Sequence, residues 1–217
     1  MIKYDNNIVF RPEKLDALNI DRQTIALIPA NSKVLEIGCA TGVMGKFLKK
    51  YKKCEVTGVE LRQEEAGVAK KNLDNVITGN IEDKDIFNKI TGKFDVVLAV
   101  ALIQQLKTPE ESLKNWKKFL KKDGYLIITA SNIAHWTTRK ELFLGKFNYE
   151  DYGLLDDSHL RFYTIKTFKD LVINAGFEII EFKIDPVGGG YPKVSKLLSN
   201  ILPSLFTYQM LIYAKGK

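Results

Sequence analysis

The chain has 217 residues, of which 45% are hydrophobic, 33 are basic and 26 are acidic, so its formal net charge is +7. This length supports one substantial hydrophobic core, which predicts a single domain over residues 1–217, and the composition excludes a disordered or collagen-like chain. The two cysteines lack C-x-x-C spacing, which argues against a metal site and for a reducing compartment. The N-terminus does not resemble a signal peptide, and no apolar run approaches the ~20 residues of a membrane span. We therefore predict a cytoplasmic protein.

The basic residues concentrate in two lysine-rich stretches, residues 46–53 and 114–122. Both fall on predicted helices whose opposite faces are apolar, so we interpret them as solvated helix faces. A nucleic acid or an anionic membrane is the alternative that the positive charge leaves open. We do not expect a nucleic acid partner.

The first predicted helix begins near residue 20. Ile20 and Ile25 flank Asp21 at the spacing of a hydrophobic staple, so Asp21 is the expected N-cap of a helix that ends before Pro29. We expect this N-terminal helix to pack beside the sheet and to cover a ligand.

A strand, a tight turn and an amphipathic helix follow over residues 33–51. Val34, Leu35 and Ile37 form a short apolar run typical of a buried parallel strand, and apolar residues recur at helical spacing after Gly42. The turn reads Glu36-x-Gly38-x-Ala40-x-Gly42, which lacks the G-x-G-x-x-G pattern of a pyrophosphate site. Because an acid at the strand end repels phosphates, a ligand that carries an ammonium group fits this turn better.

These residues resemble motif I of the class I S-adenosylmethionine-dependent methyltransferases, Glu/Asp-x-Gly-x-Gly-x-Gly. Ala40 replaces the middle glycine, at a small expected cost. The resemblance implies that S-adenosylmethionine is the cofactor, that S-adenosylhomocysteine is its product, and that the cofactor contacts Glu36, Gly38, Ala40 and Gly42.

The second and third predicted strands cover residues 54–61 and 74–79. Glu60 lies at the end of the second strand, about twenty residues past the glycine turn, where an acid accepts both hydroxyls of a ribose. The resemblance adds Leu61 to the cofactor site, and it places Asn80 at the adenine amino group and Ile81 against the ring. An Asx turn at Asn80 is an equally good interpretation.

The fourth strand, residues 94–101, is apolar from Val96 onward and therefore central, and we assign Ala99 at its carboxyl end to the cofactor site. The Asn/Asp-Pro-Pro-aromatic motif of methyltransferases that act on base amino groups or glutamine amides is absent here. Gln104 and Gln105 stand where many small-molecule methyltransferases have Glu-His, which removes one candidate base.

The helix after the fourth strand begins with Thr108-Pro-Glu-Glu111, which predicts a capping box, and we expect it to end at Asp123-Gly124. A fifth strand follows at residues 125–130, so five strands alternate with helices in a doubly wound α/β sheet. The resemblance implies a seven-stranded Rossmann-like sheet of order 3-2-1-4-5-7-6 with its last strand antiparallel. A capped helix before Gly176 and strands at 177–184 and 207–214 complete it.

An aromatic and polar insert at residues 133–163 interrupts the alternation and contains the two histidines of the chain. We predict that it forms a cap over the substrate, with Trp136, Arg161 and Tyr163 as binding residues. Methyl transfer to oxygen calls for a base, for which His159 is the first candidate and His135 the second. Histidines that only satisfy loop hydrogen bonds are the alternative.

The insert resembles a recurrent stretch of bacterial and archaeal methyltransferases of quinone and surface-glycan pathways. The segment 186–206 is a possible second cap or an edge helix, and residues 194–206 could contact a membrane peripherally.

The leading functional hypothesis is therefore methyl transfer to an oxygen, or less favourably a nitrogen, of a small-molecule, glycan or quinone-like acceptor. A non-catalytic S-adenosylmethionine-binding domain and an NAD-dependent oxidoreductase are the alternatives. The sequence leaves the acceptor and the oligomeric state open.

Overall fold

The computed structural model describes residues 10–187 and 192–216. Its strands are β1 (Lys33–Ile37), β2 (Glu55–Glu60), β3 (Asn75–Thr78), β4 (Phe94–Ala99), β5 (Leu120–Ser131), β6 (Phe177–Asp185) and β7 (Gln209–Gly216). Its α-helices are α1 (Ile20–Leu27), α2 (Val43–Lys52), α3 (Gln63–Ala69), α4 (Lys84–Lys89), α5 (Pro109–Trp116), α6 (Trp136–Phe143), α7 (Ile165–Asn174), α8 (Pro192–Ser199) and α9 (Pro203–Phe206).

The strands form one sheet in the order β3-β2-β1-β4-β5-β7-β6. Strands β1 to β5 pair in parallel, and β7 is antiparallel to both β5 and β6. The predicted strand order and the antiparallel last strand are confirmed. This order places the carboxyl ends of β1 and β4 side by side at the point where the chain reverses direction across the sheet, which is where ligands bind in such folds.

Two apolar clusters cover the two faces of the sheet. Leu35 of β1 belongs to one cluster, which includes Trp116 of α5 and Phe168 of α7. Its neighbour Val34 belongs to the other, with Leu48 of α2. Successive side chains of a strand point to opposite faces, so a strand covered on both faces is apolar at nearly every position. Strands β1 and β4 depart from this only at Lys33, Glu36 and Asp95.

The start of α1 differs from its prediction. Asn19, not Asp21, is the N-cap, because the Asn19 side chain accepts hydrogen bonds from the backbone N–H groups of Asp21 and Arg22. The two residues compete for one role and asparagine caps a helix as well as aspartate does, so the spacing alone placed the cap two residues late. The Asp21 side chain consequently lies inside the helix.

The predicted capping box at Thr108 is wrong. The Thr108 side chain does not cap α5, and its hydroxyl and backbone N–H instead both donate to the Glu82 carboxylate. The helix also ends at Trp116, and β5 begins at Leu120, so Asp123-Gly124 lies within the strand and not at a helix end. The register shift between β4 and β5 beside this glycine indicates a β-bulge, which explains a turn-like dipeptide inside a strand.

The insert at 133–163 contains α6 and a stretch without long helices, and it is joined to the sheet by a bridge between Asn132 and Tyr163. Part of the predicted second cap, residues 188–191, lies outside the described residues. The described remainder forms α8 and α9 beside the start of β7. Within the parts of the chain that the structure describes, no helix is both long and apolar enough to cross a bilayer.

Candidate functional site

The turn between β1 and α2 is held in left-handed backbone conformations. Gly38, Ala40 and Gly42 have φ values of 73°, 47° and 75°. A Cβ on Gly38 would lie 3.1 Å from the Leu102 side chain, and one on Gly42 would lie 3.0 Å from Leu73. Both positions therefore favour glycine, because of their positive φ and because of the limited space. At Ala40 the positive φ costs about 1 kcal/mol, more than the small cost expected from the sequence.

The carboxylate of Glu60 clamps this turn to the end of β2. One oxygen accepts the backbone N–H of Ala40 at 2.9 Å, and the other accepts that of Arg62 at 2.9 Å. Each carboxylate oxygen retains a further lone pair. The side chain therefore positions the turn and can accept two more hydrogen bonds from a ligand in the cavity.

Glu36 is a buried acid with an unused oxygen. Its side chain lines the cavity, the residue is 6% exposed, and its Oε2 atom has no hydrogen-bond partner. Burial raises the pKa of Glu36 to about 8, and a hydrogen bond from the backbone N–H of Gly45 offsets part of that rise. A Cβ on Gly45 would lie 2.6 Å from Oε2, so only glycine leaves room for this carboxyl group.

A cavity of about 660 Å³ opens above these groups, a volume typical of sites for cofactors and small molecules. Seven of the nine predicted cofactor residues line it, namely Glu36, Gly38, Ala40, Glu60, Leu61, Asn80 and Ile81. Gly42 does not line the cavity but begins α2. Ala99 does not line it either, because its side chain is buried in the core.

Asn80 forms an Asx turn, because its side-chain oxygen accepts a hydrogen bond from the backbone N–H of Glu82 at 3.0 Å. This turn is the interpretation that the sequence left open beside a contact with adenine. The oxygen keeps a second lone pair toward the cavity. Ile81 is 8% exposed and belongs to the core while it lines the cavity. A contact of these two residues with an adenine ring stays a prediction.

Four residues that the sequence did not point to also line the cavity. Val100, Ala101 and Leu102 follow β4, and Ala101 has a φ of 50° stabilised by a hydrogen bond from its backbone N–H to the Thr129 hydroxyl. A non-glycine residue in that conformation carries no sequence signal. The fourth residue is Asp21 of α1, which the mistaken cap assignment concealed.

His159 is buried outside the cavity wall, which the insert reaches through Ser158. Its Nδ1 atom lies 3.4 Å from Nε2 of Gln104, and its backbone N–H donates to Asp156. Gln104 in turn accepts the backbone N–H of Ser131. The imidazole thus joins the insert to the end of β5, which is the structural alternative considered for it.

His135 is fully buried at the start of α6, where its ring nitrogen Nδ1 lies 2.8 Å from the Thr137 hydroxyl. Its Nε2 atom has no hydrogen-bond partner, and burial lowers the pKa of His135 to about 4. The residue does not line the cavity. A base role for either histidine stays a prediction and would require the insert to move.

The three predicted substrate residues also lie away from the cavity wall. Trp136 packs beside His135, with ring centroids 5.9 Å apart. Arg161 donates to the backbone carbonyl of Lys107 at 2.8 Å, which fixes its side chain to the segment before α5. Tyr163 is buried in the core, and burial raises the pKa of its hydroxyl well above the usual range. Among the described residues, no group of three or more His, Cys, Asp or Glu side chains could hold a metal ion.

Residues 11–182 match the model of a family described as a methyltransferase domain. Two curated relatives are the ribosomal protein L11 methyltransferase of Thermosipho africanus, 33% identical over 97 residues, and the ubiquinone biosynthesis O-methyltransferase of Dechloromonas aromatica, 25% identical over 134 residues. The first match covers 44% of this chain and 36% of the relative, and the second covers 59% and 57%. The chain therefore spans between about a third and somewhat over half of these relatives.

Solved structures of similar fold cover almost the whole chain. A Thermotoga maritima protein described as a SAM-dependent methyltransferase and possible histamine N-methyltransferase is 24% identical, with a TM-score of 0.63, over 91% of this chain and 87% of its own. A SAM-dependent methyltransferase of Archaeoglobus fulgidus is 17% identical, with a TM-score of 0.65, over 90% of each chain. At these identities the likeness concerns the fold alone.

Proposed function

Because the chain belongs to the class I S-adenosylmethionine-dependent methyltransferase family, we propose that it transfers the methyl group of this cofactor to an oxygen of a small-molecule acceptor. The observation that carries the proposal is the buried carboxyl group of Glu36, whose Oε2 atom has no hydrogen-bond partner, at the end of β1 just before the glycine turn. Such a group suits a cationic amino-acid moiety and repels a diphosphate.

The residues of the cavity fit S-adenosylmethionine. Glu36 can receive its ammonium group, and the free lone pairs of the Glu60 oxygens can accept the two ribose hydroxyls. Gly38 lets a ligand approach the backbone closely, and Asn80 and Ile81 flank the space beyond Glu60. When bound, the cofactor supplies an electrophilic methyl group on a positively charged sulfur.

The chain itself contributes positioning and the exclusion of water. In a displacement reaction the acceptor and the methyl carbon must be in line, and holding two reactants in that geometry supplies much of the rate enhancement. The rigid turn, fixed by Glu60, orients one reactant, and the insert that reaches the wall at Ser158 shields the other side. No covalent intermediate with the protein is needed.

Support for an oxygen acceptor comes from the relatives and from an absent motif. One relative is an O-methyltransferase of ubiquinone biosynthesis, whereas others are named for a ribosomal protein and for ribosomal RNA. The sequence after β4 reads Val100-Ala-Leu-Ile103 and lacks the Asn-Pro-Pro-aromatic motif expected for amino-group methylation of bases. We therefore favour a small-molecule, quinone-like or glycan acceptor over nucleic acid, and a cytoplasmic location.

Isothermal titration calorimetry with S-adenosylmethionine, S-adenosylhomocysteine and NAD tests the cofactor. We expect saturable binding of the first two and none of NAD, and a Glu36→Gln variant should bind both more weakly. The matched control is Glu55→Gln, at the exposed start of β2. Binding of NAD, or no binding of S-adenosylhomocysteine, would contradict the proposal.

Transfer of a labelled methyl group to a panel of hydroxylated aromatic compounds, sugars and amines tests the reaction. Mass spectrometry and NMR of the product identify the methylated atom. Tight binding of the cofactor without transfer to any member of the panel would favour the non-catalytic binding domain instead.

A further inference from the structure

Asp21 is the one cavity acid that the cofactor site and the local structure leave unassigned. It lies in the first turn of α1, where Asn19 has taken the N-cap role, and it lines the cavity. Within the described residues its carboxylate accepts no hydrogen bond. A carboxylate in this setting is free to act on a ligand.

The other candidate bases of the cavity are already engaged. Glu82 accepts hydrogen bonds from Lys107 and Thr108, and Glu65 pairs with Arg62 at 3.0 Å. Glu36 and Glu60 belong to the cofactor turn described above. Neither histidine of the chain lines the cavity, so no imidazole is available there.

The surroundings of Asp21 favour its protonated form. Burial, and then the negative charge of Asp185, raise the pKa of Asp21. Asp185 at the end of β6 is itself fixed, because its two oxygens accept the backbone N–H groups of Ile20 and Val187. The remaining charged side chains that line the cavity are Glu36, Glu60, Glu65, Glu82, Arg62 and Lys107.

We propose that Asp21 is the general base for a phenolic or enolic acceptor hydroxyl, an inference that rests on the proposed methyl transfer. The acceptor oxygen forms a bond to the methyl carbon, the carbon–sulfur bond breaks with its electron pair left on sulfur, and the hydroxyl proton passes to Asp21. The products are a methyl ether, a thioether and a protonated carboxyl group that returns its proton to water.

The chemistry of a carboxylate base selects the class of acceptor. A carboxylate can share the proton of a phenol, whose pKa is ~10, far more readily than that of an alcohol, whose acidity is close to the ~15.7 of water. Sugar hydroxyls are therefore poor acceptors for this base.

Kinetics of Asp21→Asn test the assignment. We expect the affinity for S-adenosylhomocysteine to stay within twofold and the turnover of a phenolic acceptor to fall by about 100-fold or more, the usual contribution of a general base. The acid limb of the pH profile should disappear with it. The matched control is Asp16→Asn. Asp16 lies just before α1 and is paired with Lys196 at the surface, so this variant should keep full turnover.

A binding measurement tests Asp21 without turnover. In the complex with S-adenosylhomocysteine, 4-nitrocatechol should bind with a rise in phenolate absorbance, and Asp21→Asn should bind it at least tenfold more weakly. Equal binding to both proteins, or none to the wild type, would overturn the assignment, as would a loss of S-adenosylhomocysteine affinity in Asp21→Asn. Failure of the wild type to bind S-adenosylhomocysteine would instead refute the proposed function.

A second, independent observation concerns large apolar side chains on the outside of the molecule. Phe143 at the end of α6 is 90% exposed, and Leu197 and Ile201 around α8 are each 71% exposed. Leu142, Leu144 and Leu202 extend this apolar surface. Ordinary proteins expose single apolar residues, so six large ones on two segments of the chain call for an explanation.

The two parts of the apolar surface are joined at the edge of the sheet that carries the cavity. Arg139 of α6 donates to the hydroxyl of Ser204 in α9, and the side chain of Asn132, just past β5, donates to the backbone of Ser204 and Thr207. An apolar acceptor that left a bilayer at this surface would therefore emerge on the same side as the cavity.

The charge around the apolar surface is positive. Residues 136–147 and 192–206 contain the basic residues Arg139, Lys140, Lys146, Lys193 and Lys196. The acids beside them are Glu141 and Asp16, which pairs with Lys196, so five basic residues against two acids leave a net positive charge. Apolar side chains ringed by lysine and arginine are the pattern of helices that lie in the interface of anionic membranes. We infer that this surface binds anionic lipid bilayers peripherally.

Sedimentation with vesicles tests the surface. The protein should bind vesicles that contain phosphatidylglycerol more than tenfold better than pure phosphatidylcholine, and Phe143→Ser with Leu197→Ser should abolish binding. Ile180→Ser, on the similarly exposed Ile180 of β6, is the control. Absence of vesicle binding by the wild type, or a dimer in solution that the same double substitution dissociates, would overturn the inference.

Discussion

Glu36 couples the stability of the ligand-free protein to pH. Its pKa is raised by burial from 4.5 to about 8, so between these values the folded chain holds a proton that the unfolded chain has lost. The free energy of unfolding must then decrease as the pH rises from 4.5 to 8 and level off above 8. At ~1.4 kcal/mol for each pH unit the decrease is at most about 5 kcal/mol, and structural relaxation should reduce it to about 2 to 4 kcal/mol.

Glu36→Gln should remove this dependence, because an amide has the shape of the protonated acid and does not titrate. Guanidinium chloride denaturation at pH 5, 6, 7, 8 and 9 measures the free energy of unfolding of both proteins. We expect similar values at pH 5 and a more stable variant at pH 8, even though the variant should bind S-adenosylhomocysteine more weakly. Curves that stay parallel across this range would refute the assignment of a buried, neutral Glu36.

Three further predictions concern the residues around the turn and the insert. Glu60→Ala, compared with Glu55→Ala, should weaken the binding of S-adenosylmethionine by more than ~1 kcal/mol in calorimetry, since bonds to a charged group are lost; unchanged affinity would remove the ribose role. Ala40→Gly should increase the free energy of unfolding by about 0.5 kcal/mol and so raise the urea midpoint. The strain that glycine relieves at this positive φ is larger than the stability lost because glycine gives the unfolded chain more entropy. A lower midpoint would contradict this. The wild-type free energy of unfolding should fall by about 2 kcal/mol as the pH drops from 6.5 to 4, because only the unfolded chain protonates the His135 imidazole in that range. His135→Asn should remove this decrease; an unchanged dependence on pH in acid denaturation would count against it.

The sheet was predictable because its signals are local and mutually consistent. Apolar runs such as residues 34–37 define buried strands, and the glycine turn fixes where β1 ends. Gly176, with a φ of 86°, ends α7 as predicted, and Thr164 caps that helix in a box with Thr167. The error at α1 arose because Asn19 and Asp21 compete for one helix end, and the error at α5 arose because Glu82, distant in sequence, takes the Thr108 hydroxyl.

Residues that line the cavity could be predicted for the same reason, since Glu36 and Glu60 stand at fixed positions relative to the turn. The residues expected of the acceptor side were chosen by type alone, and the structure places His159 and Tyr163 in packing roles. An insert without periodicity does not show which side chains face inward. Asp21 was present in the sequence analysis, but its role depended on which residue capped α1.

The proposed contact between Glu36 and an ammonium group predicts that ligand binding releases a proton. Below pH 8 the free protein holds Glu36 protonated, whereas an ammonium group beside Oε2 would favour the carboxylate, so we expect binding of S-adenosylhomocysteine to expel that proton. The affinity should then rise by up to tenfold for each pH unit from 5.5 to 7.5 and level off above pH 8, where the free protein has already lost this proton. Calorimetry in buffers of different ionisation enthalpy counts the protons released, and Glu36→Gln should release none. An affinity of the wild type that stays flat over this range would show that the ammonium group binds elsewhere.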